Sequence, residues 1–215
     1  MKKFWNSIPT GTRVLALISV LGFLVVAVGG RMTGIDLTAW ISLDRSAVSS
    51  LQVWRLVTYA LIPGDLISVF FGTLFLILIA PAVERTWSSG FFITFFLTCA
   101  AVSGLVFLMV LGDFPFGLLT NSGALMGLLV AWWQINRFQR FLLFGGPEVS
   151  AAVAALVTAS FIVVPVALGC GWRLTPGIVA GAPAGWLFLR LHASLSNRRV
   201  QHNSGNRSRV SRIEL

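Results

Sequence analysis

The chain has 215 residues, of which 56% are hydrophobic and 11% are charged, and its formal net charge is +9. This composition excludes an ordinary soluble domain, in which about a quarter of the residues are charged. The positive charge does not indicate nucleic-acid binding, because the basic residues lie beside long apolar runs and in the C-terminal tail, where they orient a membrane protein. We therefore expect an integral membrane protein whose partner is the lipid bilayer, with no nucleic-acid partner.

Six apolar runs approach the length needed to cross a hydrocarbon core of about 30 Å. A basic lead, residues 1–13, precedes them, and a polar–apolar loop, residues 31–64, follows the first run. The runs are residues 14–30, 66–83, 91–111, 118–135, 149–168 and 176–191. The tail, residues 193–215, is rich in Arg, Ser and Asn, and we expect it to be disordered. The sequence thus predicts an all-α polytopic protein with a six-helix membrane domain over residues 14–192.

The basic residues are distributed unevenly between the two sides of this six-span arrangement. One side holds Arg31, Arg45, Arg55 and Arg173, whereas every other Lys and Arg lies near the termini or in the loops after the second and fourth spans. Positive residues accumulate on the cytoplasmic side of membrane proteins. We therefore expect both termini in the cytoplasm, as in a multi-pass protein of a bacterial inner membrane.

The fourth run begins with small and polar residues: Thr120, Asn121, Ser122, Gly123 and, one turn later, Gly127. Small residues let neighbouring backbones approach closely, so we expect this helix in the middle of the bundle. At the start of the helix, Asn121 or Ser122 can cap exposed backbone donors, so we interpret Ser122 as a cap or a small packing residue rather than as a catalytic one.

The two cysteines, Cys99 and Cys170, lie in apolar surroundings without the spacing of a metal site. We interpret both as packing residues rather than as a disulfide or a reactive thiol. No metal or cofactor is expected from the sequence.

Several short motifs occur in a fixed order along the spans. They are Trp54-Arg55 in VWRLVTYALIPG, Glu84-Arg85 after the second run, Ser122-Gly123 in NSGALMG, and Gly181 and Gly185 in GAPAG. Together they resemble the rhomboid superfamily over roughly residues 10–192. That superfamily contains intramembrane serine proteases and inactive relatives such as the derlins. The resemblance implies a six-helix rhomboid-like bundle, in which we interpret Arg55 and Glu84 as structural hydrogen-bonding residues rather than substrate ligands.

The resemblance also implies where catalytic residues would stand. Ser122 takes the position of the nucleophile, and the general base would be a histidine three residues before the first glycine on the sixth helix, where this chain has Ile178. A register shifted to Gly177 would place Leu174 there instead. The positions near the oxyanion hold Ser68 and Gly72 on the second helix and Thr120 before the serine, and an earlier histidine position holds Pro63.

A serine hydroxyl is a poor nucleophile unless a base lies within hydrogen-bond reach. His192 is fourteen residues beyond position 178, which is about 21 Å along a helix, and His202 lies in the tail. No lysine occurs in any run, and Asp65 and Asp113 at the outer face are weak bases because an ordinary aspartate has a pKa near about 4. The sequence therefore offers no base for Ser122.

Two functions follow from this inventory. The first is a non-proteolytic rhomboid-like protein that binds transmembrane helices of client proteins. The second is a divergent intramembrane serine protease with Ser122 as nucleophile and an unrecognised base. A transporter is disfavoured, because the runs show no corresponding pair of broken helices and no ionisable side chain to handle an ion.

Overall fold

The computed structural model describes residues 7–34, 36–111, 118–142, 148–170 and 172–210. Its elements are α1 (Thr10–Thr33), α2 (Thr38–Ile41), α3 (Arg45–Ser49), α4 (Arg55–Leu61), α5 (Leu66–Glu84), α6 (Ser89–Leu111), α7 (Ser122–Asn136), β1 (Arg140–Leu142), β2 (Glu148–Ser150), α8 (Ala151–Cys170) and α9 (Thr175–Val210), with a 3₁₀ turn, Trp172–Leu174, before α9. The predicted all-α class is confirmed. The antiparallel β1–β2 hairpin, which pairs Phe141 with Val149, was not predicted.

Within the described residues, four segments are long and apolar enough to cross a membrane: Thr10–Gly30, Leu66–Thr86, Ser89–Val110 and Trp172–His192. They fall in α1, α5, α6 and the first half of α9. Helix α8 contributes a shorter apolar segment, Ala151–Val164. Helices α5, α6, α8 and α9 pack on α7, and α1 packs on α5 and α6, so the chain folds as a polytopic helical membrane bundle.

Helix α7 lies at the centre of this bundle. It contacts α5, α6, α8 and α9, and every residue from Ser122 to Leu129 is buried. Its 15 residues span only about 22 Å, less than the roughly 30 Å of a hydrocarbon core. The central placement agrees with the prediction, but the predicted length was wrong because residues 118–121 are not helical.

Backbone pairing keeps residues 118–121 out of the helix. Leu43 and Leu118 form an isolated antiparallel bridge, in which each N–H donates to the other residue's carbonyl at 2.9 and 3.0 Å. The Gly64 N–H donates to the Leu119 carbonyl at 3.3 Å. These donors and acceptors are therefore used between segments rather than in a further turn of α7.

The segment predicted as a loop, residues 31–64, contains the short helices α2, α3 and α4. Arg55, which is 7% exposed, donates through Nη1 to the carbonyls of Ala39 (2.6 Å) and Ser42 (3.0 Å). The Tyr59 hydroxyl donates to the Ala100 carbonyl of α6 at 2.8 Å. Arg55 therefore stabilises the loop internally, and Tyr59 fixes it to the bundle.

A buried carboxylate at the end of α5 caps the start of α1. Glu84 accepts from the N–H groups of Gly11 (2.6 Å) and Thr12 (2.7 Å), and from the hydroxyls of Thr12 (2.7 Å) and Ser89 (2.6 Å). Pro9 at the N-cap supplies no side-chain bond. Since a carboxylate at a helix N-terminus satisfies donors that lack intrahelical partners, α1 begins at Thr10, inside the predicted lead of residues 1–13.

The last helix extends into the tail, residues 193–215, for which we expected disorder. Helix α9 continues past the membrane segment to Val210. No proline follows Pro183 in the sequence, so nothing removes a backbone donor or forces a break in this helix.

Candidate functional site

Glycines bring α9 into backbone contact with α7. A Cβ on Gly181 would lie 1.8 Å from the carbonyl oxygen of Gly123, and a Cβ on Gly185 would lie 2.9 Å from that of Gly127. This is the close approach expected from the four-residue spacing of small residues on both helices. The contact places the start of α7, with Ser122, beside residues 177–185 of α9.

The Ser122 hydroxyl is hydrogen-bonded to another hydroxyl. Its Oγ lies 2.7 Å from Thr120 Oγ1, which also accepts from the Ser122 N–H at 3.3 Å. Asn121 occupies the N-cap position but makes no side-chain cap bond. The capping alternative for Asn121 or Ser122 was therefore wrong, since Thr120 supplies the side-chain acceptor at this helix start, whereas the burial of Ser122 agrees with the packing alternative.

A small cavity of about 60 Å³ opens beside Ser122, between α5 and α8. Both helices pack on α7, but their described residues do not pack on each other. The cavity is lined chiefly by Ser68, Phe71 and Gly72 of α5, Asn121 and Ser122 at the start of α7, and Phe161 and Ile162 of α8. We call it the lateral gap. It presents three polar side chains within otherwise apolar walls.

The two α5 positions that the resemblance placed near an oxyanion do line the lateral gap. Ser68 is already engaged, because its N–H and its hydroxyl donate to the Asp65 carboxylate at 2.8 and 2.5 Å. This pairing makes Asp65 the N-cap of α5. The Asp65 carboxylate is therefore committed to its own helix rather than directed at Ser122.

Gly72 leaves room for a side chain from the other wall. A Cβ on Gly72 would lie 2.4 Å from Nδ2 and 2.9 Å from Oδ1 of Asn121. The carboxamide of Asn121 thus occupies the space in which α5 has no side chain. Apart from the place of Asn121 next to Ser122, no pattern in the sequence assigns it to the site, because the contact joins the start of α7 to α5.

None of the described residues that line the lateral gap is titratable. Ile178, at the position of the missing histidine, is fully buried in the core. The His192 ring lies 4.2 Å from that of Phe91, near the start of α6. Phe91 precedes Ser103, which packs on Gly123, by twelve residues, or about 18 Å along the helix. His192 is therefore too far away to serve as the base.

The remaining candidate groups do not add a base or a ligand set within the described part of the chain. Cys99 is a buried free thiol packed on Gly127, as expected for a core residue. Asp113 and the two N-terminal lysines lie outside the described residues, as does the side chain of His202. Across those described residues, no group of three or more His, Cys, Asp or Glu side chains could hold a metal ion.

Comparison with known proteins agrees with the order of the motifs. The rhomboid domain family model matches residues 50–191 of this chain. The chain belongs to the rhomboid family. A rhomboid protease named GluP, from Bacillus subtilis (strain 168), is 30% identical over 129 residues, which are 60% of this chain and 25% of the relative. This chain thus matches about a quarter of the length of that curated relative.

The matched region of this rhomboid contains both sides of the candidate site. It includes the Trp54-Arg55 and Glu84-Arg85 motifs, Ser122 and the α9 glycines. The predicted membership of the rhomboid superfamily is therefore confirmed. Within that fold, this chain presents a serine hydroxyl bonded to a threonine, an unengaged carboxamide and an apolar opening between two helices.

Proposed function

We propose that this rhomboid is a non-proteolytic membrane protein that binds transmembrane helices of client proteins at the lateral gap. The observation that carries the proposal is the hydrogen bond between Ser122 and Thr120 in a cavity whose described lining has no titratable group. Acyl transfer needs a nucleophile, a general base and donors for the developing oxyanion, held together. A hydroxyl whose partner is another hydroxyl has no group to receive its proton at neutral pH.

The surface around the lateral gap supports binding in a bilayer. Ile67 and Phe71 of α5 and Phe161 of α8 line the gap and expose 66%, 42% and 52% of their surfaces. Such side chains present an apolar, membrane-facing wall on both sides of the gap. Association of helices in lipid depends on packing and interhelical hydrogen bonds, and the short α7 is consistent with local thinning of the bilayer beside it.

Labelling with a fluorophosphonate serine probe tests the absence of catalysis. We expect no covalent adduct on Ser122 in the wild-type protein in lipid nanodiscs, and the same background signal from Ser122→Ala. A single-pass substrate of an active rhomboid protease should remain uncleaved. Binding of a leucine-rich transmembrane peptide, followed by energy transfer, should be equal in wild type and Ser122→Ala, because it depends on the shape of the gap.

The alternative function is a divergent intramembrane serine protease with Ser122 as nucleophile. Two observations favour it: the relative from Bacillus subtilis is named a rhomboid protease, and Ser122 lines an open cavity at a helix start. Stoichiometric labelling of the wild-type protein that Ser122→Ala abolishes would establish this alternative and overturn the binding proposal.

We further propose that both termini face the cytoplasm of a bacterial inner membrane. The charge distribution of the sequence supports this orientation, because most Lys and Arg residues lie near the termini or in the loops predicted on the same side of the membrane as the termini. A reporter fused after Leu215 should show a cytoplasmic location, and a tag beside Asp44 should react with an impermeant reagent added outside. The opposite pattern of labelling would refute the orientation.

A further inference from the structure

Asn121 carries a carboxamide for which the described residues provide no partner. Its side chain is 3% exposed and lines the lateral gap. It makes no hydrogen bond to any described residue, and it does not cap α7. A carboxamide has two N–H donors and a carbonyl acceptor, and buried groups of this kind are nearly always paired. The unused pairing capacity points to a ligand in the gap.

The other polar groups of the lateral gap are engaged elsewhere. The Ser68 hydroxyl donates to Asp65, and the Ser122 hydroxyl is paired with Thr120. Among the described lining residues, Asn121 is therefore the side chain with free donors and a free acceptor. Gly72 makes room for its carboxamide, since a Cβ there would lie 2.4 Å from Nδ2.

The size and surroundings of the gap limit the class of ligand. A volume of about 60 Å³ accommodates a few water molecules or one short side chain, judging by the roughly 10–15 Å³ that a water position needs. An intact transmembrane helix satisfies its own backbone groups, so it offers polar atoms only through side chains. A charged side chain is costly in a bilayer, and the described lining holds no opposite charge. A second carboxamide matches both the donors and the acceptor of Asn121.

We propose that Asn121 selects client transmembrane helices that carry an Asn or Gln side chain, through a reciprocal pair of carboxamide hydrogen bonds in the lateral gap. This inference rests on the proposed binding function. It adds a specificity residue to it, because apolar walls alone would accept any helix of suitable shape.

The test uses the full-length protein in nanodiscs and three leucine-rich transmembrane peptides. One is all-leucine, one carries a single Gln one to two turns from its end, and one carries a Pro at the same position. Energy transfer between labelled protein and peptide reports binding. We expect the Gln peptide to bind about threefold to tenfold more tightly than the all-leucine peptide, as for one interhelical hydrogen-bonded pair.

Three variants separate the carboxamide from general effects on the fold. Asn121→Leu keeps a similar volume without polar groups, so the Gln peptide should bind no more tightly than the all-leucine peptide. Gly72→Ala should have the same effect, because its methyl group displaces the carboxamide without changing Asn121. Thr73→Val is the matched control. The Thr73 hydroxyl, on α5, is also buried without a hydrogen-bond partner, but it does not line the gap. Its removal should leave the preference for Gln intact.

The possible failures are distinguishable. If the wild-type protein binds none of the peptides, the proposed binding function itself is wrong. If it binds the Gln and all-leucine peptides equally, or if the preference survives in Asn121→Leu, binding stands but Asn121 does not select a carboxamide. Proline removes one intrahelical hydrogen bond and leaves a backbone carbonyl without its donor. If only the Pro peptide shows binding that depends on Asn121, the ligand is therefore a backbone carbonyl, and the proposed Asn or Gln ligand is overturned.

Discussion

Substitution of Gly181 by alanine adds one methyl group where, among the described glycines, an added Cβ would lie nearest to another atom. The new Cβ would lie 1.8 Å from the Gly123 carbonyl oxygen and 2.7 Å from its carbon. Both are backbone atoms in the middle of α7, so no rotation of a side chain can relieve the overlap. To reach even the 3.0 Å that real Cβ atoms respect, α9 and α7 must separate by about 1.2 Å.

This separation determines the expected magnitude. A radial gap of about 0.5–1 Å already loses a quarter to a half of the dispersion energy between facing atoms. Packing is a main source of association between helices in lipid, and overpacking typically costs about 1–3 kcal/mol. Because the obstacle is backbone and α9 packs along much of α7, we expect a cost near the upper end of this range.

Reversible unfolding in mixed micelles measures the free energy of unfolding of Gly181→Ala. Gly185→Ala should cost less, since its Cβ would lie 2.9 Å from the nearest atom of Gly127. Gly90→Ala is the matched control, because no atom lies within 4 Å of its Cβ, and it should be neutral or slightly stabilising. Equal stability of Gly181→Ala and Gly90→Ala would refute the packing of α9 on α7 described above.

Three further predictions concern single side chains. Glu84→Gln should reduce the free energy of unfolding by about 1.5–3 kcal/mol, because the amide cannot accept all four hydrogen bonds that the charged carboxylate accepts. Glu148 is exposed, so the control Glu148→Gln should change the free energy of unfolding by less than about 0.5 kcal/mol. Arg55→Lys should destabilise residues 36–54 by about 1–3 kcal/mol, since an ammonium cannot reproduce the planar guanidinium that binds two carbonyls. An added protease should then cleave this segment faster. An unchanged rate of cleavage would contradict the structural role of Arg55. Ile178→His alone should not create fluorophosphonate labelling of Ser122, because the two α5 positions assigned to oxyanion donors hold Gly72, which has no side chain, and Ser68, whose hydroxyl donates to Asp65; strong labelling of this variant would mean that only the base is missing.

The candidate site was only partly accessible to sequence reasoning. The positions of Ser122, Ser68 and Gly72 followed from motif order, and all three line the lateral gap. The engagement of Ser68 with Asp65 is local, within one turn, and its spacing of three residues is a signal that sequence analysis could have used. The contact of Asn121 with Gly72 has no such signal, because the two residues are far apart in the sequence and meet only through the packing of α7 on α5.

The sequence by itself determined the membrane class, the approximate helices and the family, because long apolar runs and short motifs are local properties that survive any arrangement of the bundle. It also indicated the central place of α7 through the small residues at its start. Tertiary structure decided where α7 begins, since Leu118 pairs with Leu43 across the bundle. It also decided how α1 is capped, since Glu84 lies 73 residues from Gly11. In both cases a backbone donor or acceptor finds its partner in a distant segment, and the pairing depends on how the helices pack rather than on the residues nearby in the chain.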